Sequence, residues 1–363
     1  MGTINVLALN SGSSSLKFGL YRVGAAQIET LLAKTIATSD LGDAITQAAS
    51  LLSESRMPAP NAIGHRIVHG GPNLRQHGLI DDAMLRQLDA AAAFAPLHTP
   101  AALSIIRFAQ EHFPGLPQVA CFDTTFHAQL PDVARVLPIA KDLQASGIQR
   151  YGFHGLSLES IVRRLGSDLP SRVVVAHLGN GCSITAVKGG TSIDTSMGLT
   201  PTGGVIMGTR SGDLDPGVLV YLMREKNFDA AMLEALVDHR SGLLGISGVA
   251  SDMRRLHEAA ASNPDARLAI EMFCYSVRKQ IAAMIAVLGG LDLLVFTGGI
   301  GENDAQARAA ICAGLSWLGI SLDETRNRAA LDPINDSASR CSVRVLAAQE
   351  DEQIARHTRD LVS

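Results

Sequence analysis

The chain has 363 residues, of which 47% are hydrophobic and 18% charged, and a formal net charge of −4. That length predicts two domains, and that balance belongs to a packed globular protein rather than a disordered one. The mildly acidic charge and the lack of a basic stripe exclude nucleic acid as an expected partner. The longest greasy run, "IAAMIAVLGGLDLLVF", is broken by two glycines and Asp292, so no membrane span is expected. The cysteines (Cys121, Cys182, Cys274, Cys312 and Cys341) are odd in number and form no CxxC pair. They predict neither a disulfide framework nor a zinc knuckle, and they suit a reducing, cytoplasmic compartment. The apolar start Ile4–Leu9 is short and lacks the basic flank of a secretory signal.

In chain order, "INVLALN" and "LKFGLYRV" read as strands on either side of a small polar loop. "AITQAASLLSES" reads as an amphipathic helix and "AIGHRIVHGG" as a strand ending in a glycine pair. "DDAMLRQLDAAAAFA" and "TPAALSIIRFAQEHF" read as helices, the second with Thr99 as N-cap and Pro100 at N1. "PQVACFDTTFH" reads as a strand ending at Asp123. A second strand–loop–strand follows at "RVVVAHLGNGCSITAVKGG". A third glycine-rich strand end, "LDLLVFTGGIGEN", precedes the helix-like "DAQARAAICAGL". The alternation predicts the α/β class, and the repeated strand–loop–strand form suggests two related halves.

Four small-residue loops follow apolar strands: "NSGSSSLK", "HLGNG", "GTRSGD" and "TGGIGEN". The first exceeds what a plain hairpin needs. It reads either as a solvated serine-rich turn or as a phosphate cradle with Lys17 supplying charge. Four such loops together point to a nucleotide in a cleft. Neither a Walker A loop nor G-x-G-x-x-G is present, which excludes a P-loop NTPase and a dinucleotide fingerprint. Arg66 and Arg210 sit in apolar or glycine-rich sequence, where an unpaired cation is costly. Each needs an anion, either an internal carboxylate or a substrate carboxylate or phosphoryl group. Asp123 at a strand end reads as a helix cap or a working acid. His154, in "RYGFHGLS", stands out among the eleven histidines. His65 and His69 have i, i+4 spacing on a strand-like stretch with no Glu after His65, so a zinc hydrolase site is not expected.

"NSGSSSLKF", "HRIVHGG", "FDTTFH", "RYGFHGLS", "HLGNGCS", "DTSMGLTPTGG", "MGTRSGDLDP", "SGLLGISG", "SDMR" and "FTGGIGEN" resemble, in order and spacing, the motifs of acetate kinases. The resemblance runs along essentially the whole chain. It implies two duplicated actin-like ATPase (ribonuclease H-like) domains, each a mixed five-stranded sheet flanked by helices, with the active site in the interdomain cleft. The implied domains are residues 1–125 plus 350–363, and residues 126–349. The implied reaction is reversible transfer from ATP to acetate, giving ADP and acetyl phosphate, with propionate or another short-chain carboxylate as the alternative acceptor. A non-catalytic actin-like nucleotide switch and a sugar or glycerol kinase are more distant readings.

The resemblance assigns catalysis to Arg66, Asp123, His154 and Arg210, and a small-acid pocket to Arg66, Val68, Leu97, Phe153 and Pro201. It assigns ATP or ADP to Ser13, Lys17, His177, Asn180, Gly181, Asp252, Met253, Arg254, Gly299, Ile300, Gly301 and Asn303. Asn10 and Glu350 are placed near Mg²⁺, for which Mn²⁺ is a substitute, and a homodimer is implied. The chain departs from the family's usual pattern at Thr99, Thr202, Gly203 and Met253, and reads "AQED" where "TNEE" is usual. It is also shorter than usual, between Lys17 and His65.

Overall fold

Two apolar runs near the start of the chain, β1 (Ile4–Ser11) and β2 (Ser15–Val23), pair as an antiparallel hairpin that sets Asn10 opposite Lys17. The structure is a computed structural model. It describes residues 2–11, 15–37, 46–47, 50–51, 57–95 and 98–363. The described residues divide into two compact units, Met1–Ala128 with Phe153–Arg163 and Gln349–Ser363, and Gln129–Gly152 with Arg164–Ala348. The first unit therefore takes in Phe153–Arg163, which the sequence reading left with the second.

In the first unit, β3 (Ile28–Ala37) extends the hairpin antiparallel, while β4 (Ala62–Ile67) runs parallel to β1. The two-residue β5 (Gly78–Leu79) pairs antiparallel with β6 (Gln118–Phe122), which itself runs parallel to β4. The sheet order is β3-β2-β1-β4-β6-β5, six strands rather than the expected five, because β5 adds a short edge. One face packs on α1 (Asp82–Ala90) and α2 (Thr99–His112) through Leu7, Leu9, Phe18, Ile63, Ile106 and Phe122. The other packs on α3 (Gly155–Leu165) and the C-terminal helix (Glu350–Val362) through Val6, Ala8, Tyr21, Val119, Leu156 and Ile354. Both faces are covered, so the strands read as continuous apolar runs rather than alternating ones.

In the second unit, β7 (Arg172–Leu178), β8 (Cys182–Lys188) and β9 (Thr191–Thr195) form an antiparallel meander. The unit continues through α4 (Pro216–Lys226), α5 (Ala230–His239), α6 (Met253–Ala259) and the long α7 (Pro264–Leu288). β10 (Leu293–Thr297) runs parallel to both β7 and β11 (Ser342–Val345). The order β11-β10-β7-β8-β9 repeats that of β6-β4-β1-β2-β3 in the first sheet, with the same strand senses. The two related halves suggested by the sequence are thus visible as one topology used twice.

Some local expectations change. Thr99 is the first residue inside α2 and His98 takes the cap position, so Pro100 is the second helical residue. The "GGIGEN" segment is itself a short helix, α8 (Gly298–Asn303), ahead of α9 (Ala305–Ala313). The expected helix "AITQAASLLSES" lies largely outside the described residues, as do Ser13 and Leu97. The cysteines are buried and free, and burial pushes the Cys182, Cys274 and Cys312 thiols up to about 12. No helix among the described residues is long and apolar enough to cross a membrane.

Gly64 of β4 lies where the C-terminal helix comes closest to the sheet: a Cβ there would run into Thr358 Oγ1 and Ile354 Cγ2. The substitution Gly64→Ala is expected to cost about 1–3 kcal/mol by overpacking this contact. Urea unfolding checks it, with a lowered midpoint at unchanged slope expected.

Candidate active site

The two-residue period of a strand sends alternate side chains to opposite faces. In β1, Asn10 shares the face of Val6 and Ala8. In β4, Arg66 shares the face of Gly64, and Asp123 continues the parity of Val119 and Cys121 just beyond β6. All three reach the face covered by the C-terminal helix, at the carboxyl ends of three strands that run in parallel. Lys17, opposite Asn10 on the antiparallel β2, is exposed at the same sheet end.

These side chains form one network. Arg66 donates to Asp123 Oδ2 through Nε at 2.9 Å and Nη2 at 2.5 Å, and through Nη1 to Asn10 Oδ1 at 3.1 Å. The Asn10 amide then donates to Glu350 Oε2 at 3.1 Å and Asp351 Oδ1 at 2.7 Å. Its neighbours fix its orientation: oxygen to the guanidinium, nitrogen to the carboxylates. Burial opposes the Arg66 charge, but Asp123, Glu350 and Asp351 raise its pKa above the ordinary value. Burial pushes Asp123 up to about 6 against the pull of Arg66. Its second oxygen, Oδ1, is buried without a hydrogen-bond partner. Burial also raises Asp351, with Glu350 adding repulsion.

The sequence reading named Asn10 and Glu350, and the structure brings them into contact; it missed Asp351, whose only signal was its place beside Glu350. An oxygen-only pair such as Glu350 and Asp351 suits a hard divalent cation. The burial and repulsion acting on Asp351 are what a cation would relieve. Asn10 lies beside that pair, with its amide nitrogen toward the carboxylates and its oxygen toward Arg66.

His154 immediately precedes α3, in the left-handed region at φ 61°. The next amide, Gly155 N–H, donates to the Asp123 carbonyl at 2.8 Å, and a Cβ on Gly155 would collide with that oxygen. Gly155 therefore lets His154 and Asp123 sit next to each other, a role not read from the sequence. Val68 is half-buried, while Phe153 is buried with its carbonyl 3.0 Å from His127 Nε2. The buried His69 ring lies edge-on to Phe153, with centroids 5.4 Å apart, so the apolar wall has an imidazole behind it.

In the second unit, β7 and β10 place His177 and Thr297 side by side at their carboxyl ends. The turn carrying Asn180 and Gly181 follows β7, and α8, with Gly299, Ile300, Gly301 and Asn303, follows β10. These residues therefore gather at the sheet end where open α/β sheets bind ligands. Asn180 and Gly299 are exposed there, while the Asn303 amide is engaged with the Gly299 carbonyl at 2.9 Å. Asp252 caps α6 by accepting from the amides of Arg254 and Arg255, and it pairs with the exposed Arg254 guanidinium at 3.1 Å. Those contacts, the Arg254 hydrogen bond foremost, lower the Asp252 pKa. Met253, expected at the nucleotide, has its side chain buried in the packing of the unit.

Arg210 donates to the Pro201 carbonyl at 3.4 Å, and its Nε lies 4.0 Å from Asp238 Oδ1. Thr202 Oγ1 donates to that same oxygen. Asp238 was not singled out in the sequence, where it is one acid within a helix.

A family model described as the Acetokinase family matches residues 26–356. The acetate kinase of Thermosynechococcus vestitus is 41% identical over 411 aligned positions, covering 99% of this chain and 99% of that one. The propionate kinase of Citrobacter rodentium is 40% identical over 383 positions, covering 97% and 95%. The crystal structure of a propionate kinase from Francisella tularensis superposes with a TM-score of 0.90 at 38% identity, over 99% of this chain and 100% of that one.

The Asp123 position gives a pH signature. Arg66 is held by the ionised carboxylate, so kcat/KM is expected to fall as pH drops through about 6. The variant Asp123→Asn should lose that inflection and turn over about 10²-fold more slowly. A kcat/KM profile from pH 5 to 8 checks both.

Proposed function

The chain belongs to the acetokinase family and is a phosphotransferase with a carboxyl group as acceptor, and we propose that it reversibly transfers the γ-phosphoryl group of ATP to acetate, giving ADP and acetyl phosphate. The observation that carries this reading is the half-buried Arg66, a guanidinium held in place at a strand end by Asp123 and Asn10. A carboxylate acceptor is already ionised at neutral pH. It needs no general base, unlike a sugar hydroxyl, but it does need cations so that two anions can approach. Phosphoryl transfer is mostly positioning and charge neutralisation.

In this reading a carboxylate oxygen attacks the γ-phosphorus in line, the bond to the bridging oxygen breaks, and ADP leaves with that electron pair. Arg66 and Arg210 hold the carboxylate and the moving phosphoryl group. Asp123 keeps Arg66 in its fork geometry, and His154 donates to an equatorial oxygen. Lys17, Ser13 and Asn180 contact the phosphates. His177, Gly181, Gly299, Ile300, Gly301 and Asn303, with Asp252 and Arg254, border the nucleotide. Val68, Leu97, Phe153 and Pro201 wall the methyl group. Glu350 and Asp351 would hold Mg²⁺, which when bound offsets phosphate charge.

Propionate is the second reading, because a propionate kinase and an acetate kinase are each 40% identical to this chain. We also propose a homodimer formed through the second unit. α4 buries none of its side chains and exposes Tyr221 and Met223, while α7 exposes Leu268, Met272 and Tyr275 at i, i+4, i+7, one apolar stripe.

Incubation with Mg-ATP and formate, acetate, propionate, butyrate or glycerol, with hydroxylamine trapping of acyl phosphate, tests the reaction. Acetate should give the highest kcat/KM and propionate should follow within about 200-fold. Glycerol should give nothing, and ATP loss without acid dependence would refute the kinase. Sedimentation should show a dimer that Met272→Glu with Tyr275→Glu dissociates; a monomeric parent protein rejects the interface.

A further inference from the structure

A second polar cluster of the first unit lies between α3 and the C-terminal helix, outside the residues assigned above. His357 Nε2 is 2.6 Å from Glu159 Oε2, and the Gln353 amide donates to the same oxygen at 3.3 Å. One turn along α3, Arg163 donates to Gln353 Oε1 at 3.0 Å and Gln349 Oε1 at 3.2 Å. The Gln349 amide N–H donates to Ser160 Oγ at 3.1 Å. Residues 159 and 163 face residues 349, 353 and 357, so each helix turns one polar stripe to the other. His77 completes the cluster: its ring centroid is 4.0 Å from that of His357, and its Nε2 is 3.8 Å from Glu159 Oε1.

Ligand atoms of His77, Glu159 and His357 all lie within 4.8 Å of one another, a spacing compatible with a metal ion. The hydrogen bonding of His77 argues for another role. The Phe122 amide N–H donates to His77 Nδ1 at 3.0 Å, which occupies the lone pair on that nitrogen. The ring proton therefore sits on Nε2, which turns a proton rather than a lone pair toward Glu159, 3.8 Å away and beyond hydrogen-bond reach. Burial lowers the His77 pKa and keeps the ring neutral. Against the cost of burial, the hydrogen bond from His357, with His77 close by, holds Glu159 at about 2, ionised throughout the working range.

The cluster thus joins three elements that carry the proposed chemistry. α3 begins beside His154, the C-terminal helix begins with Glu350 and Asp351, and Phe122 immediately precedes Asp123. We propose that Glu159 is a positioning residue for phosphoryl transfer, using His357, His77 and the α3 face to hold His154 and the Glu350–Asp351 pair in register with Asp123. The inference rests on the carboxylate-kinase reading. Misplacement by about an ångström at such a site is enough to slow turnover about 10²-fold.

The test compares the parent protein with Glu159→Gln, His357→Gln and the double variant. Each single variant should lower kcat about 10- to 100-fold while KM for Mg-ATP and acetate stays within about threefold. The double variant should be no slower than the worse single one, because both remove the same coupling. Parental kcat in variants whose melting temperature has dropped would overturn the proposal and leave the cluster a stability feature. Additive losses in kcat would overturn it too, as would stoichiometric Zn²⁺ binding by the parent protein that His77→Gln abolishes. If Glu159→Gln does not fold, His357→Gln decides alone. A parent protein that makes no acyl phosphate refutes the reaction instead. Amide hydrogen exchange then still reads the device: residues 154–158 and 350–354 should both exchange faster in the folded variants, and unchanged exchange would overturn the positioning role.

Discussion

A half-buried guanidinium at the end of a strand, set against a fully buried carboxylate, needs that anion fixed in place, and the first unit is arranged around meeting that need for Arg66. Asp123 answers it from the next parallel strand and Asn10 from the previous one. Removing one partner of such a pair costs about 3–5 kcal/mol, because the other charge is left buried and uncompensated. The parallel pairing of β1, β4 and β6 is thus a constraint on the site as well as on the sheet. A register slip of one residue would turn Asn10, Arg66 or Asp123 to the opposite face, into the packing on α1 and α2. Gly64 and Gly155 serve the same end by removing side-chain bulk where the C-terminal helix and α3 come closest to the strands.

Much of this was legible in the sequence, because strand parity, glycine-rich strand ends and isolated charges are local signals. Asn10 and Asp123 each close an apolar run and Arg66 is an isolated charge within one, and the structure brings the three together. The duplicated topology was readable from the strand–loop–strand form, even though the paired segments share few residues. What could not be read depends on contacts between distant segments. Asp351 matters because its helix begins beside Asn10, 341 positions away. Gly155 matters because of a carbonyl on another element, and Asp238 because α5 brings it beside Arg210. The cluster of His77, Glu159 and His357 joins three segments with no shared motif. Local competition explains the smaller misses: Thr99 has cap chemistry, but the backbone places His98 at the cap. β3 is a half-solvated strand at the sheet edge, whose apolar residues do not alternate strictly with its polar ones.

The same physics separates what this site does strictly from what it does loosely. Charge and geometry are specified by buried, mutually hydrogen-bonded groups, so the class of acceptor is tightly determined. On the proposed function the acid's tail would meet apolar walls such as Val68 and Phe153, where a methylene is worth about 1–3 kcal/mol. Such a pocket ranks short acids without excluding neighbours in the series, which fits a chain similar to both acetate and propionate kinases.

The balance of charge in the first unit sets an order of events. Asp123, Glu350 and Asp351 are three carboxylates, set against the half-buried Arg66 and the exposed Lys17. Burial raises both Asp123 and Asp351, so the cluster carries more negative charge than its surroundings readily accommodate. A polyphosphate arriving without counter-charge would add to that excess, whereas one arriving with a divalent cation relieves it. On the proposed function, these carboxylates would therefore favour a nucleotide that arrives together with its divalent cation.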